Sequence, residues 1–383
     1  MKKKIVHIVL NTFEYDTRII KECKTLSKAG YEVTVIAYWN DGLQIKEEVD
    51  GYQIIRLLLI TKPWNKHPII QCIKYIEFLL KSLFIIKRIK PDICHGHDPD
   101  GLFVGYMAKL FWRINLIYDS HELWGHTKHM TSYNRILYKI GSIIEKRIIK
   151  RANAIITVNE SIASIMKKNN IKDDIFVIRN IPEVSEPNSE YTRGYYQFPE
   201  SKYIIISVGS ISRGRGVEQL IRSMENVSHN IGLVLLGGEK IYKERILNMI
   251  EKYNLEDRIE LIDPVSPDEV VNVCRLADVG IVATENISLN DYYSLPNKIF
   301  QYIHAGLPVL CSNFPEMEKI IDDYHVGLTF DMTIDGNMSN MINSIFANKN
   351  TLKKFTQAST RASEKLNWNN EKNILLNIYK QLN

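Results

Sequence analysis

Short apolar runs of strand length alternate with amphipathic helical stretches through nearly the whole chain, and this alternation constrains the fold more than any other feature. Lys4–Leu10, Glu32–Ala37, Tyr52–Leu59, Asp92–His95, Asn115–Tyr118, Ala154–Val158 and Ile175–Ile178 read as strands. Asp16–Ala29 carries Ile19, Ile20, Cys23 and Leu26 at helical spacing and stops at Gly30, a natural residue just past a helix end. Ile69–Ile89 is a long amphipathic helix opened by Pro68. Strands separated by helices pair in parallel, with helices covering both faces of the sheet. The pattern breaks once, where residues 180–201 hold Pro182, Pro187 and Pro199 and no apolar period. It resumes with strands at Tyr203–Val208, Gly232–Leu236, Ile259–Ile262, Val279–Ala283 and Leu307–Cys311, and is purely helical from Leu352. The expectation is two doubly wound, Rossmann-like α/β domains facing a central cleft. Residues 1–185 form the first and 202–360 the second, joined by a linker at 186–201. A C-terminal helix at 361–383 either stays with the second domain or crosses back to the first.

Charge and cysteine content narrow the function. Lys plus Arg is 49 and Asp plus Glu is 44, and this excess of +5 is too small to argue for a nucleic-acid partner. It is compatible with phosphates or an anionic membrane surface. Cys23, Cys72, Cys94, Cys274 and Cys311 are odd in number and lack CxxC spacing, which implies neither a disulfide framework nor a zinc site. A reduced, cytoplasmic protein is expected. The basic start MKKKIVHIVL has too short an apolar stretch for a signal peptide, carries His7 and lacks a small-residue cleavage site, so it reads as a first strand. No stretch approaches the roughly 18 uncharged apolar residues of a membrane span.

Five segments carry candidate chemistry. Gly209-Ser210-Ile211-Ser212-Arg213-Gly214-Arg215-Gly216 follows a strand and opens a helix. Backbone N–H groups at such a turn bind phosphate, and Arg213 and Arg215 add charge-assisted donors, so phosphate is favoured over a plain turn. Neither a Walker end nor a GxGxxG fingerprint is present. Ser294-Leu295-Pro296-Asn297-Lys298 starts a helix, with Pro296 at its first position, that runs to Gly306. This is either a second phosphate seat or helix punctuation. Asp119-Ser120-His121-Glu122 puts polar residues at the end of an apolar strand, where open α/β sheets place ligand groups. In Cys94-His95-Gly96-His97-Asp98-Pro99-Asp100, two His and two Asp invite a metal, but a helix starting at Gly101 makes N-capping aspartates the preferred reading. On Ile69–Ile89, Lys74, Lys81 and Arg88 lie opposite Ile73, Ile76, Leu80, Leu83 and Phe84. That helix either rests on anionic lipid or packs in the core with a solvated basic face.

Taken together, these segments resemble the GT-B glycosyltransferases, specifically family four, the group 1 enzymes that use nucleotide sugars with retention. The resemblance runs from Asp16-Thr17-Arg18 and Gly30-Tyr31-Glu32-Val33 through Asp119-Ser120-His121-Glu122, Val158-Asn159-Glu160 and Val177-Ile178-Arg179-Asn180. It continues through Gly209…Arg215-Gly216 to Leu295-Pro296-Asn297-Lys298…Ala305-Gly306-Leu307-Pro308-Val309. It implies transfer of a sugar from a nucleotide diphosphate to a carbohydrate or lipid-linked acceptor, in cell-surface polysaccharide or glycolipid synthesis. The donor diphosphate would meet Arg215, Arg213, Gly214, Gly209, Asn297 and Lys298. The nucleoside would meet Gln301, Pro264 and Val265, and the donor sugar Tyr293, Ser294, Leu295 and Pro296. His121 would be the catalytic residue at the sugar, with Asp16, Arg18, Asp119 and Glu122 on the acceptor side. No metal or other cofactor is implied, although Asp98-Pro99-Asp100 imitates the DxD motif of metal-dependent transferases. The location implied is cytoplasmic, with a peripheral place at the inner face of the membrane as a variant.

This chain departs from the family pattern in one respect. Two glutamates with seven residues between them are usual, one at the sugar and one at the ribose; here those places hold Tyr293 and Gln301. Ser210 likewise stands where many members have an arginine. Two rival readings remain: a 2-epimerase of nucleotide sugars with the same fold, and a catalytically silent nucleotide-sugar-binding partner.

Overall fold

The computed structural model describes all residues except Met1, Lys66, Gly125, 127–134, Asn170, Asp173, Ser185, Arg213, Glu239 and Asn383. The chain divides into two compact units, Met1–Arg179 with Glu371–Asn383, and Asn180–Asn370. The last helix therefore belongs largely to the first unit. There the Arg179 guanidinium donates to Glu371 at 2.9 Å from Nε, and the Tyr379 hydroxyl lies 2.8 Å from His95 Nδ1.

The first unit carries β1 (Lys4–Ile8), α1 (Thr17–Lys28), β2 (Glu32–Tyr38), β3 (Lys46–Val49), β4 (Tyr52–Leu57), α2 (Pro68–Ile89), β5 (Ile93–His97) and α3 (Asp98–Trp112). It continues with β6 (Asn115–Ser120), α4 (Arg135–Ile148), β7 (Ala154–Thr157), α5 (Glu160–Lys168) and β8 (Ile175–Val177). Its sheet runs β3-β4-β2-β1-β5-β6-β7-β8, parallel except for the β3–β4 pair. β3 has no sequence signature, because KEEV is charged and lies at the sheet edge, where no apolar face is demanded.

The second unit carries β9 (Tyr203–Val208), α6 (Val217–Ser223), β10 (Ile231–Leu236), α7 (Lys240–Lys252), β11 (Ile259–Ile262), α8 (Val270–Cys274), β12 (Val279–Val282), α9 (Leu289–Tyr292) and α10 (Asn297–His304). There follow β13 (Val309–Ser312), α11 (Pro315–Tyr324), β14 (Gly327–Phe330), α12 (Asn337–Ala347) and α13 (Lys349–Lys365), while the last helix, α14 (Trp368–Gln381), lies in the first unit from Glu371 onward. The parallel sheet of the second unit has the order β11-β10-β9-β12-β13-β14. Chain direction across the sheet reverses between β9 and β12, and the loops after those strands diverge there to leave a ligand crevice. In the first sheet the same reversal falls between β1 and β5.

Three expectations need correction. Residues 186–201 are not a free linker but part of the second unit. Phe198 is buried in its core, Arg193 donates to the Leu276 carbonyl at 2.7 Å and to Asp278 at 2.9 Å, and the Tyr191 hydroxyl donates to Glu269 at 2.7 Å. Prolines exclude regular structure here but not packing. The tail is two helices, broken at Leu366 and Asn367, and not one helix from 361. The apolar stripe of α2 packs against the core only in part, at Leu83, and its basic face is exposed at Lys87 and Arg88. Ile69, Ile73, Ile76, Leu80 and Phe84 are exposed, whereas Phe78, Ser82 and Ile86 are buried. Lys74 is turned onto the Lys62 and Trp64 carbonyls, and Lys81 onto the Leu58 carbonyl.

Candidate active site

In the second unit, β9 ends at the reversal point and delivers the loop Gly209–Gly216. Two close backbone approaches fix it. A Cβ on Gly237 would lie 2.4 Å from the Gly209 carbonyl oxygen, and one on Gly216 would lie 1.8 Å from that of Ala283. Both glycines hold positive φ, +116° and +66°, where side-chain-bearing residues are strained. From the β12 side, Glu285 accepts from the Gly216 N–H at 3.2 Å, and its own N–H donates to the Gly214 carbonyl at 3.3 Å.

α10 is aimed at the same loop. Its Tyr302 is fully buried, accepts from the Val208 N–H at 3.0 Å and donates to the Ile281 carbonyl at 3.2 Å. The ring fits only because β12 has Gly280, where a Cβ would lie 2.1 Å from it. This lock places half-buried Lys298 beside the loop, with Nζ 3.9 Å from where a Gly209 Cβ would be. Burial, reinforced by the neighbouring Arg215 charge, lowers the Lys298 ammonium to about 8. Among the described residues neither Arg215 nor Lys298 pairs with a carboxylate. Two cations held close without a counter-charge make an anion seat.

Beside this seat, Gly209, Ser210, Gly237, Gly238, Pro264 and Val265 line a largely apolar cavity of about 290 Å³. Gln301 is half-buried one helical turn beyond Asn297 and Lys298 and shares their face of α10.

In the first unit, β6 delivers Asp119 and His121 to the rim of the sheet. Asp119 is fully buried and bidentate with Arg18, accepting from Nε and Nη2 at 2.8 Å each, while Arg18 Nη1 donates to the Ile178 carbonyl at 2.6 Å. His121 Nε2 stands 3.2 Å from Asp119 Oδ2 and 3.1 Å from His97 Nδ1. Asp98 Oδ1 accepts from the His121 backbone N–H at 3.0 Å and from Trp124 Nε1 at 3.2 Å. Burial alone would lower the His121 imidazole, but the Asp98 and Asp119 carboxylates outweigh it and push it up to about 9. Burial works against the Asp119 charge, but Arg18 and His121 overcome it and hold the carboxyl well below its ordinary range. His121 retains 20% side-chain exposure, with Nε2 on the buried Asp119 carboxylate and Nδ1 3.7 Å from Asp98 Oδ2.

Residues 17–182 match the model of Glycosyltransferase Family 4, and residues 188–362 match that of Glycosyl transferases group 1. The chain belongs to this family. An uncharacterized glycosyltransferase of Methanocaldococcus jannaschii is 25% identical over 244 residues, which is 61% of this chain and 58% of that relative's length. Among solved structures, sucrose-phosphate synthase from Thermosynechococcus elongatus has a TM-score of 0.84 at 17% identity, covering 100% of this chain and 99% of that one. Anabaena Alr3699/HepE, solved in complex with UDP-glucose, has a TM-score of 0.75 at 13% identity, with 99% of each chain covered. These likenesses show that the group 1 glycosyltransferase has the GT-B fold of two parallel-sheet domains. They do not favour the epimerase or silent-partner readings.

Several residue roles expected of this glycosyltransferase change. Arg18 and Asp119 are buried and paired with each other, so they position His121 and do not touch an acceptor. Asp16 caps α1, accepting from the Ile19 N–H at 3.3 Å. Glu122 alone of the four is exposed. Leu295 packs against the core, and the Ser294 hydroxyl donates to the Asp291 carbonyl at 2.7 Å, which leaves it only as an acceptor. Pro296 is the N-cap of α10 and not its first residue. α3 begins at Asp98 and not at Gly101, and the Asp98 carboxylate serves His121 and Trp124 and not a helix cap. Arg213 lies outside the described residues. Sequence reasoning missed Glu285 and Tyr302 with Gly280, and it read His97 only as a candidate metal ligand and not as a partner of His121. A carboxylate just past a strand end was the available signal for Glu285; nothing local marks Tyr302.

Proposed function

We propose that this chain transfers a hexosyl group from a nucleoside diphosphate sugar to an acceptor hydroxyl, with retention of anomeric configuration. The unpaired cations Arg215 and Lys298 at the reversal point of the second sheet carry this reading. In it they hold the diphosphate and stabilise the charge that develops on it as the glycosidic bond breaks, a preorganised role that needs no metal. Asn297 and the N–H groups opening α10 add donors, the cavity at Pro264 and Val265 takes the base, and Gln301 meets the ribose. The His121 imidazolium donates to the donor sugar, Tyr293 and the backbone to Pro296 border it, and Glu122 stands on the acceptor side. A thermal-shift screen of nucleotide sugars tests the donor, since ligand at 100 times Kd stabilises by ~2.7 kcal/mol. Product anomer by NMR tests retention, and an inverted product refutes it. Brief EDTA treatment should leave turnover intact; loss restored by Mg²⁺ or Mn²⁺ would revive a metal at the phosphates.

The exposed apolar stripe of α2 supports a lipid-linked acceptor and a peripheral place at the cytoplasmic membrane face. No helix among the described residues is long and apolar enough to cross a membrane. Lys87, Arg88, Lys146, Arg147, Lys150 and Arg151 supply basic charge in the same unit. Binding to anionic vesicles that fades at high salt is the expected result; equal indifference to anionic and neutral vesicles would favour a soluble acceptor.

A further inference from the structure

Strand register brings three histidines together on one face of the first sheet. His95 and His97 are two apart on β5 and so share a face, and His7 on β1 is the direct partner of His95. The rings of His7 and His95 lie 4.6 Å apart, and those of His95 and His97 4.4 Å. α1 lays Glu22 against them, and one donor atom from each of the four residues falls within 4.8 Å of the other three. All four side chains are buried, His7, Glu22 and His95 completely.

Their outer contacts are satisfied and their inner ones are not. His7 Nδ1 is bonded to His97 Nε2 at 2.9 Å, and His95 Nδ1 to the Tyr379 hydroxyl at 2.8 Å. His7 Nε2, His95 Nε2 and both Glu22 oxygens have no hydrogen-bond partner. Arg18 Nε stands 3.4 Å from Glu22 Oε1, but its guanidinium is already committed to Asp119. Buried polar atoms are seldom left without partners. Imidazoles fixed through one nitrogen, with the other left without a partner and a carboxylate in the same cluster, are the arrangement of metal-ligating histidines and their supporting shell. Two imidazoles and a carboxylate suit Zn²⁺ over the hard cations, which take all-oxygen sites.

We propose that His7 Nε2, His95 Nε2 and a Glu22 carboxylate oxygen bind a zinc-like transition-metal ion that braces β1, β5 and α1. It is a structural ion of the first unit and takes no part in the transfer chemistry. His97 and Tyr379 support it by holding the rings of His7 and His95.

The full chain tests this, expressed with zinc and also freed of metal by dialysis against chelator under mild denaturation and refolded. One ion per chain by mass spectrometry, visible d–d absorption on Co²⁺ addition, and a higher Tm with Zn²⁺ are the expected results. Glu22→Gln and His95→Gln should each abolish the Co²⁺ spectrum. Should either fail to fold, Tyr379→Phe keeps the packing and removes the partner of His95, and it should weaken Co²⁺ binding about 10–100-fold. Cys72→Ser, at an exposed thiol, should change nothing. Wild-type protein that neither contains nor takes up an ion overturns the proposal, as does binding indifferent to Tyr379→Phe and Glu22→Gln.

Discussion

The two candidate sites, one in each unit, are built on opposite electrostatic plans. Around His121 nearly every polar group is bonded to another protein group: Arg18 with Asp119, Asp119 with His121, Asp98 with the His121 backbone and Trp124. Around Gly209 the cations Arg215 and Lys298 stand together without an ion pair to a carboxylate among the described residues, Glu285 being bonded to the Gly216 N–H. The first arrangement fixes one side chain in position and charge state. The second leaves charge for a ligand to complete. A network that satisfies itself organises, and one left incomplete binds.

Substitutions should separate the plans, the largest effect coming from His121. His121→Ala should cut turnover by roughly 10²–10⁴, the range for a positioned acid or base, while nucleotide affinity stays near wild type. A variant that binds donor poorly would move His121 out of the chemistry. Asp119→Ala takes from buried Arg18 its bidentate partner and leaves only Glu22, 3.4 Å from Nε, and should cost about 3–5 kcal/mol of stability, read from denaturant unfolding. A stable Asp119→Ala would mean that the first network is not self-supporting. Arg215→Ala is the mirror case. It should leave stability within about 0.5 kcal/mol, because no protein partner is lost, and weaken nucleoside diphosphate binding by about 1.5–3 kcal/mol. Calorimetry that finds unchanged affinity would place the phosphates elsewhere.

A smaller effect follows from the charge state of His121. Its folded value is raised from 6.5 to about 9, so its contribution to stability is complete below pH 6.5 and is lost as pH rises through 9. The stability difference between wild type and His121→Gln should shrink by up to about 2 kcal/mol across that window, allowing for partial exposure. A flat difference would mean that the imidazole is not held charged. The smallest effect is at Gln301. Gln301→Glu should tighten donor binding by about 1 kcal/mol if the residue meets the ribose, because a carboxylate accepts from both hydroxyls and an amide oxygen is a weaker acceptor. Gln301→Leu should loosen it by a similar amount. No change in either variant would take Gln301 off the ribose and α10 off its alignment with the family.

How much was legible from sequence differs between the same two regions. The Gly209–Gly216 loop and the start of α10 could be read because their requirements are local: positive φ, a strand end, a helix opening. The role of Arg18 could not be read, because its partner Asp119 is 101 residues away and both look like surface charges in isolation. The sequence leaves the placement of the α2 stripe open between lipid and core for a related reason. Amphipathicity defines two faces of a helix but not which one the sheet covers, and here Phe78 and Ile86 meet the core instead.

The sequence by itself determined the alternation of strand and helix, hence two parallel sheets, and the glycine turns that expose backbone at their ends. These follow from steric and solvation rules acting over a few residues. Only the tertiary fold settles which strands are neighbours, and through them the cluster of three histidines, the Gly280–Tyr302 lock and the Arg18–Asp119–His121 chain. Each depends on register between segments far apart in the chain. Register is set by the packing of whole faces, which no local window contains.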